Sequence, residues 1–335
     1  MSPNDRLSRP LHDLRISVTD RCNFRCPYCM PAEIFGERYE FLPRDQILTF
    51  EEIERVARAT TALGVNKIRI TGGEPLLRQE LDTLIHALAI VPEVADLTLT
   101  TNGVLLRDQV NRLKEAGLKR ITISLDSLDP VVFRKMAGRD VSPDVVLNAI
   151  EAAEHAGLSP IKINAVIKRG VNDHTFIDLA RHFHGTGHII RFIEYMDVGN
   201  RNDWQLERVV PAEEIISRIN EVLPLEPAEA NYPGEVARRY RYVDGGGEIG
   251  VIASVTQPFC CDCTRLRLST DGQLFTCLFA SSGTDLRPTL RGGATDDKLV
   301  DHITQIWTER EDRYSELRTS QTDSLRKVEM YQIGG

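Results

Sequence analysis

The sequence predicts an α/β protein, a partial (βα)6 TIM-like barrel with a C-terminal antiparallel β extension covering the barrel mouth. Three observations predict it. Short runs rich in Ile, Val, Leu and Thr recur through roughly the first 200 residues. Helical patterns separate most of them, so consecutive strands run parallel and are joined by crossovers. Later in the chain the strand patterns follow one another directly, as hairpins do. Six units are too few for a closed eight-stranded barrel, so the barrel is open. The boundary falls near residue 200, giving a barrel domain over 1–200 and a C-terminal domain over 201–335.

The six strands are read at 13–19 (DLRISVT), 67–71 (KIRIT), 96–101 (DLTLTT), 120–125 (RITISL), 161–167 (IKINAVI) and 188–194 (HIIRFIE). The first helix starts at Thr49, which forms a capping box with Glu52, and Phe50, Ile53, Val56, Ala57 and Leu63 follow at helical spacing. Further helices are read at 80–90, 106–117 and 174–184. Another opens at Ser142 with Pro143 in its first turn and stops at Gly157. In such folds the chemistry sits at the C-terminal ends of the strands. The segments found there are Thr19-Asp20-Arg21-Cys22, Thr71-Gly72-Gly73-Glu74-Pro75, Thr100-Thr101-Asn102-Gly103 and Ser124-Leu125-Asp126-Ser127.

The C-terminal region reads as strands at 237–243, 248–254 and 265–276, the last turning at Asp271-Gly272. A helix covers 296–310, residues 311–329 are charged and expected to be mobile, and the chain ends Ile333-Gly334-Gly335.

Hydrophobic residues make up 41% of the chain, enough for a sizeable core. The net charge of −8 argues against binding nucleic acid or an anionic membrane through bulk charge, but leaves room for a local basic pocket. No apolar run approaches the ~18 residues that span a bilayer. The N-terminus is polar, without the apolar stretch of a signal peptide, so a cytoplasmic protein is expected.

Seven cysteines fall into two groups, Cys22, Cys26, Cys29 and then Cys260, Cys261, Cys263, Cys277. Clustered thiols in a cytosolic protein bind metal or do redox work more often than they form disulfides. Cys22, Cys26 and Cys29 follow the first strand at spacing CxxxCxxC. Three thiolates suit a cubane iron–sulfur cluster and leave one iron open to a small molecule. A structural zinc site is the alternative, but zinc takes four ligands and no histidine is near. The second group offers three thiolates as a CxxC pair with Cys277. The pair is Cys260 with Cys263, or Cys261 with Cys263 in a CxC arrangement. Arg265-Leu266-Arg267 follows at once, and strand alternation puts both arginines on one face, where they would attract an anion.

The CxxxCxxC motif with Tyr28 before its last cysteine resembles the signature of radical S-adenosylmethionine enzymes, and Gly72-Gly73-Glu74-Pro75 resembles their GGEP segment, which receives the methionine amino group. The whole chain resembles the GTP 3′,8-cyclase family of molybdenum cofactor biosynthesis. The resemblance is carried by the N-terminal triad, by Phe259-Cys260 through Gly272, by Cys277-Leu278-Phe279 and by the terminal Gly-Gly. It implies two [4Fe–4S] clusters, on Cys22, Cys26 and Cys29 and on Cys260, Cys263 and Cys277. It implies S-adenosylmethionine held by Tyr28, Gly73, Ser124 and Met196. It implies a 5′-deoxyadenosyl radical that removes the ribose 3′ hydrogen of GTP, after which the carbon radical attacks C8 and reduction yields 3′,8-cyclo-7,8-dihydro-GTP. The tail would enter the active site. Implied partners are a low-potential electron donor and, downstream, a cyclic pyranopterin monophosphate synthase; a monomer or homodimer is expected.

GTP carries roughly four negative charges, so its pocket should be basic even in an acidic protein. The contacts expected are Arg15, Arg69, Thr100, Lys162, Arg265, Leu266 and Arg267, with Lys67 and Arg191 as further candidates. Arg69 alternates with Lys67 and Thr71 along its strand, and a charge inside a barrel needs a partner. Two rivals remain at this stage. One is a peptide-modifying radical S-adenosylmethionine enzyme with an auxiliary cluster. The other is a zinc-stabilised binding protein without redox chemistry.

Overall fold

The structure is a computed structural model and describes residues 2–232, 234–318 and 326–334. Six parallel strands form its centre: β1 (Asp13–Ser17), β2 (Lys67–Thr71), β3 (Asp96–Thr101), β4 (Arg120–Ser124), β5 (Lys162–Ile167) and β6 (Ile189–Glu194). They lie in sequential order, each pairing parallel with the next. The crossovers carry α1 (Phe50–Ala62), α2 (Leu81–Ala89), α3 (Val110–Glu115), α4 (Pro130–Ala137), α5 (Pro143–His155) and α6 (Phe176–Phe183). Thr49 and Glu52 close the expected capping box on α1, and the Ser142 hydroxyl accepts from the Asp144 amide at the start of α5.

The C-terminal region adds α7 (Ala212–Asn220), β7 (Leu225–Ala228), β8 (Arg238–Tyr242), β9 (Glu248–Ile252), β10 (Arg265–Leu268), β11 (Gln273–Phe275), β12 (Thr284–Asp285), α8 (Arg287–Arg291), α9 (Asp296–Thr308) and α10 (Met330–Ile333). Its strands pair antiparallel among themselves, β7 with β8 and β8 with β9, then β10 with β11 and β11 with β12. They join the barrel at both open edges, where β9 runs parallel to β6 and β10 parallel to β1. All twelve strands thus form one sheet, ordered β12-β11-β10-β1-β2-β3-β4-β5-β6-β9-β8-β7.

Alternation along the strands sorts two faces. Leu14, Ile16, Ile68, Ile70, Leu99, Ile123 and Ile163 pack under the helices with essentially no exposure. The other face carries Arg15, Arg69, Thr100, Thr122, Asn164 and Arg191 and lines a lumen with polar groups instead of apolar layers.

The expected helix over 106–117 is shorter, because residues 103–109 form turns before α3 begins. The expected mobile stretch at 311–329 needs correction where it is described. Lys327 is buried and pairs with Asp197 at 3.1 Å, and Tyr314 donates to the same carboxylate at 2.6 Å. These partners are more than a hundred residues away, so local charge density misleads. Residues 319–325 lie outside the described residues, as does Gly335.

Candidate active site

The first cysteine triad lies in the loop after β1, at the C-terminal end of the barrel strands. Arg25 folds this loop on itself, donating to the carbonyls of Phe35 at 2.5 Å and of Cys22 and Phe24 at 2.7 Å each. Two glycines let neighbouring backbone close on it. A side chain at Gly73 would bring its Cβ to 2.3 Å from the Arg21 carbonyl oxygen. At Gly138, whose φ of 61° ends α4, a Cβ would come to 2.0 Å from the Arg25 carbonyl oxygen.

Glu74 is fully buried. Its carboxylate accepts from the Leu76 amide at 3.0 Å, the Thr101 hydroxyl at 2.7 Å and the Asn102 amide at 2.8 Å. Burial pushes its pKa up to about 7. The side chain therefore ties the Gly-Gly-Glu-Pro turn to the end of β3. Tyr28 donates its hydroxyl to Asp126 at 2.9 Å, Ser124 ends β4, and Met196 lines the lumen.

Burial pushes the Cys22 thiol up to about 12 and raises Cys26 and Cys29 as well. Each of the latter two also feels the charge of Cys22. Three mutually repelling thiolates in a low-dielectric site need a positive metal core. The donor set is three thiols in one loop, which suits a cubane with one iron left open better than a zinc ion that takes four ligands.

The second triad stands at the opposite end. Cys263 comes two residues before β10, whose Arg265 pairs with Asp13 at the start of β1. Cys260, Cys263 and Cys277 all line the lumen. Cys261 is exposed, its thiol 3.4 Å from Asp262, and it does not line the lumen. Burial opposes ionisation of Cys263, but the Arg265 and Arg310 guanidiniums outweigh it and lower the thiol to about 6. A five-residue strand such as β1 spans roughly 17 Å, so the lumen between the triads is long enough for a nucleotide. The lumen and its mouth, open solvent included, hold about 1370 Å³ not filled by atoms.

Arg15, Arg69, Lys162, Arg191, Arg265 and Arg267 line this space. Their partners are mostly neutral. Arg69 donates to the hydroxyls of Thr100 at 2.9 Å and Thr122 at 3.2 Å, and Arg191 to the Asn164 amide oxygen at 2.9 Å. Arg15 and Lys162 have no side-chain hydrogen bond or ion pair among the described residues. Burial and the neighbouring cations lower the pKa of Arg15 and of Arg69, take Arg191 and Arg267 down to about 9, and take Lys162 to about 7. Crowded, desolvated cations of this kind call for a polyanion.

Leu266 points the other way and is fully buried in the core. Lys67 is buried and lines the same space, but it already has partners, donating to the Tyr232 hydroxyl at 2.6 Å with Asp13 at 3.6 Å. Sequence reasoning passed over Asn164, Tyr232, Arg9 and Arg310, all of which line the lumen. Asn164 follows Lys162 by two along β5 and shares its face, a signal that strand alternation carries.

The C-terminal segment enters the same lumen. Arg267 donates to the carbonyls of Ile333 at 3.2 Å and of Gly334. Gly334 has φ 65°, and a Cβ there would sit 1.8 Å from the Thr71 hydroxyl, so only glycine fits.

Residues 16–183 match the Radical SAM superfamily and residues 188–316 match Molybdenum Cofactor Synthesis C. A protein of Acidothermus cellulolyticus named GTP 3′,8-cyclase is 58% identical over 327 residues, covering 96% of this chain and 90% of its own. Proteins of the same name from Xanthomonas campestris pv. campestris and Staphylococcus carnosus are 51% and 48% identical, each covering 99% of this chain and 97% and 98% of their own. Among solved structures, SuiB of Streptococcus suis bound to S-adenosylmethionine superposes with a TM-score of 0.61 at 17% identity, over 93% of this chain and 71% of SuiB. Native anSMEcpe with bound AdoMet superposes at 0.56 and 15% identity, over 96% of this chain and 94% of its own. These two structural likenesses speak to the fold.

Proposed function

This chain belongs to the GTP 3′,8-cyclase family of the radical S-adenosylmethionine superfamily, and from that premise we propose how its lumen serves the reaction. GTP lies between the two cysteine triads, with its triphosphate on Arg15, Arg69, Lys162, Arg265 and Arg267 and with Thr100 beside it. S-adenosylmethionine lies at the first triad against Tyr28, Gly73, Ser124 and Met196. When bound, the first cluster and S-adenosylmethionine supply the 5′-deoxyadenosyl radical that takes the ribose 3′ hydrogen, and the product is 3′,8-cyclo-7,8-dihydro-GTP. The observation that carries this reading is the set of half-buried cations, with Arg267 buried among them, whose partners in the lumen are mostly neutral. It favours a nucleoside triphosphate over the peptide substrate of the rival enzyme reading.

In the same reading Cys260, Cys263 and Cys277 hold a second [4Fe–4S] cluster against which the guanine is placed. The barrel and the C-terminal region act as the two domains, 1–200 and 201–335. A low-potential carrier supplies electrons, and the product passes to a cyclic pyranopterin monophosphate synthase. No helix is long and apolar enough to cross a membrane among the described residues, and the reading places the reaction in the cytoplasm. The test is reduced protein incubated with S-adenosylmethionine and GTP. Cyclised nucleotide should form together with 5′-deoxyadenosine. Release of 5′-deoxyadenosine that ignores GTP, with no cyclised product, would sink the substrate assignment.

Lys162 adds a pH dependence. Its folded pKa is lowered to about 7 by burial and by Arg191, Arg120 and Arg69, so it is charged below that pH and increasingly neutral above it. A triphosphate beside it favours the charged form and raises the pKa in the complex. GTP affinity contributed by Lys162 is therefore full below about 7 and falls above it, by up to about tenfold per pH unit. Anaerobic calorimetry should also show proton uptake on binding at alkaline pH. In Lys162→Met that uptake should disappear; uptake equal to wild type would assign the proton to another group.

A further inference from the structure

We propose that Arg9 and Arg310 donate hydrogen bonds to the second cluster and set its reduction potential, making the N-terminal segment part of that cluster's cradle. The proposal rests on the two-cluster reading above.

Arg9 precedes β1 by four residues, in a polar segment that carries no motif. It is nonetheless 2% exposed, and Arg310, two residues past α9, is 4% exposed. One buried carboxylate joins them. Asp5 accepts from Arg9 Nε at 2.6 Å and from Arg310 Nη1 at 3.2 Å. The Trp307 indole donates to the Arg9 carbonyl at 3.2 Å and lies under the Arg310 guanidinium at 4.6 Å.

The two guanidiniums then grip the second cysteine loop itself. Arg9 Nη1 donates to the Cys260 carbonyl at 2.7 Å, and Arg310 Nη1 donates to the Cys263 carbonyl at 2.7 Å. Both side chains line the lumen beside Cys260, Cys263 and Cys277.

Each guanidinium keeps a buried N–H with no hydrogen-bond partner, Nη2 on Arg9 and Nε on Arg310. Arg310 Nε lies 3.7 Å from the Asp312 carboxylate, beyond hydrogen-bond reach. Buried charged donors are rarely left unpaired, so two of them beside one thiol triad need an acceptor. A cubane core on three thiolates supplies it, since its sulfides and thiolates accept hydrogen bonds. Asp5, and Asp312 at 3.7 Å from Arg310, balance the two guanidinium charges, so the N–H donors rather than net charge are what the loop presents to a cluster. N–H donors on a cluster stabilise its reduced form and so raise its potential.

The test uses the full chain, reconstituted anaerobically, as wild type, Arg9→Lys and Arg310→Lys. Lysine keeps the charge facing Asp5 but cannot bond carboxylate, carbonyl and cluster at once. Iron is counted, and both clusters are titrated by electron paramagnetic resonance. The first cluster is the one whose signal changes on adding S-adenosylmethionine. The expected result is a lower midpoint for the second cluster with the first unmoved. Loss of about half the iron in one variant would reflect its lost bond to the Cys260 or Cys263 carbonyl, and the midpoint is then read on the other variant. A purely structural role would lower thermal stability and leave both midpoints in place. The first-cluster signal also reports folding, and if Arg9→Lys lacks it, Arg310→Lys decides. Midpoints equal to wild type would overturn the proposal and leave two clusters standing. Wild-type protein with only about four irons would overturn the two-cluster reading, and the proposal with it.

Discussion

Replacing Arg267 with alanine is expected to abolish cyclisation while iron content stays at the wild-type level. Arg267 is 2% exposed, faces the lumen, and pairs in register with Arg15 across the β10–β1 edge. Its guanidinium donates to the carbonyls of Ile333 and Gly334, so it anchors the chain end as well as charging the lumen. Charge-assisted hydrogen bonds contribute about 1.5–3 kcal/mol each, so losing two of them and a phosphate partner should lower kcat/KM by at least about a hundredfold. Among the described residues no hydrogen bond joins Arg267 to a cysteine, which is why iron should remain.

Arg265 differs. Its Nη2 donates to the Cys263 thiol at 3.3 Å, so Arg265→Ala should cost iron together with activity. From sequence the two arginines looked equivalent, sharing one face of one strand; the structure gives each its own partner. Product analysis and iron counting on both variants check this. Arg267→Ala protein that cyclises GTP at the wild-type rate, or that loses half its iron, would refute the division of roles.

That difference shows what a sequence of this kind makes legible. The six barrel strands and the first triad were readable because the signals are local: period-two alternation, capping residues and three thiols within eight residues. The same alternation exposed Arg69 as a charge in a barrel interior. Helix α4 was equally readable and was passed over, although Asp129 caps it and Pro130 opens it just as Ser142 and Pro143 open α5. What could not be read depends on contacts across the chain. Arg9 meets Cys260 and Asp312, and Lys327 meets Asp197, at separations of more than a hundred residues. The edge strands β7 and β12 are four and two residues long and none of their residues is buried, so they are too short and too exposed to impose a pattern. Nor does strand content say that β9 and β10 join the barrel parallel; the pairing is a property of the sheet edges they meet.

Cys277→Ser is expected to separate the two halves of the reaction. Cys277 is half-buried, with its thiol pushed up to about 12 by desolvation and by Asp312, and it lines the lumen at the end remote from Cys22, Cys26 and Cys29. Removing it should cost about four of about eight irons. In the proposed reading radical generation belongs to the other end, so 5′-deoxyadenosine should still be released on reduction. GTP would have lost its placement, and reactions that depend on a near-attack geometry lose many orders of magnitude when that geometry goes. Cyclised product should fall at least about a thousandfold, below detection, while S-adenosylmethionine cleavage continues. Cys26→Ser makes the converse control: it should lose the first cluster and end both cleavage and cyclisation. Cys260→Ser should behave as Cys277→Ser does. Cys261→Ser should keep all its iron, because the Cys261 thiol is exposed and turned toward Asp262 while Cys260 lines the lumen. Loss of the second cluster in Cys261→Ser, with retention in Cys260→Ser, would move the ligand assignment to the CxC pair. Cyclisation by Cys277→Ser at the wild-type rate would mean that the second triad has no part in placing GTP.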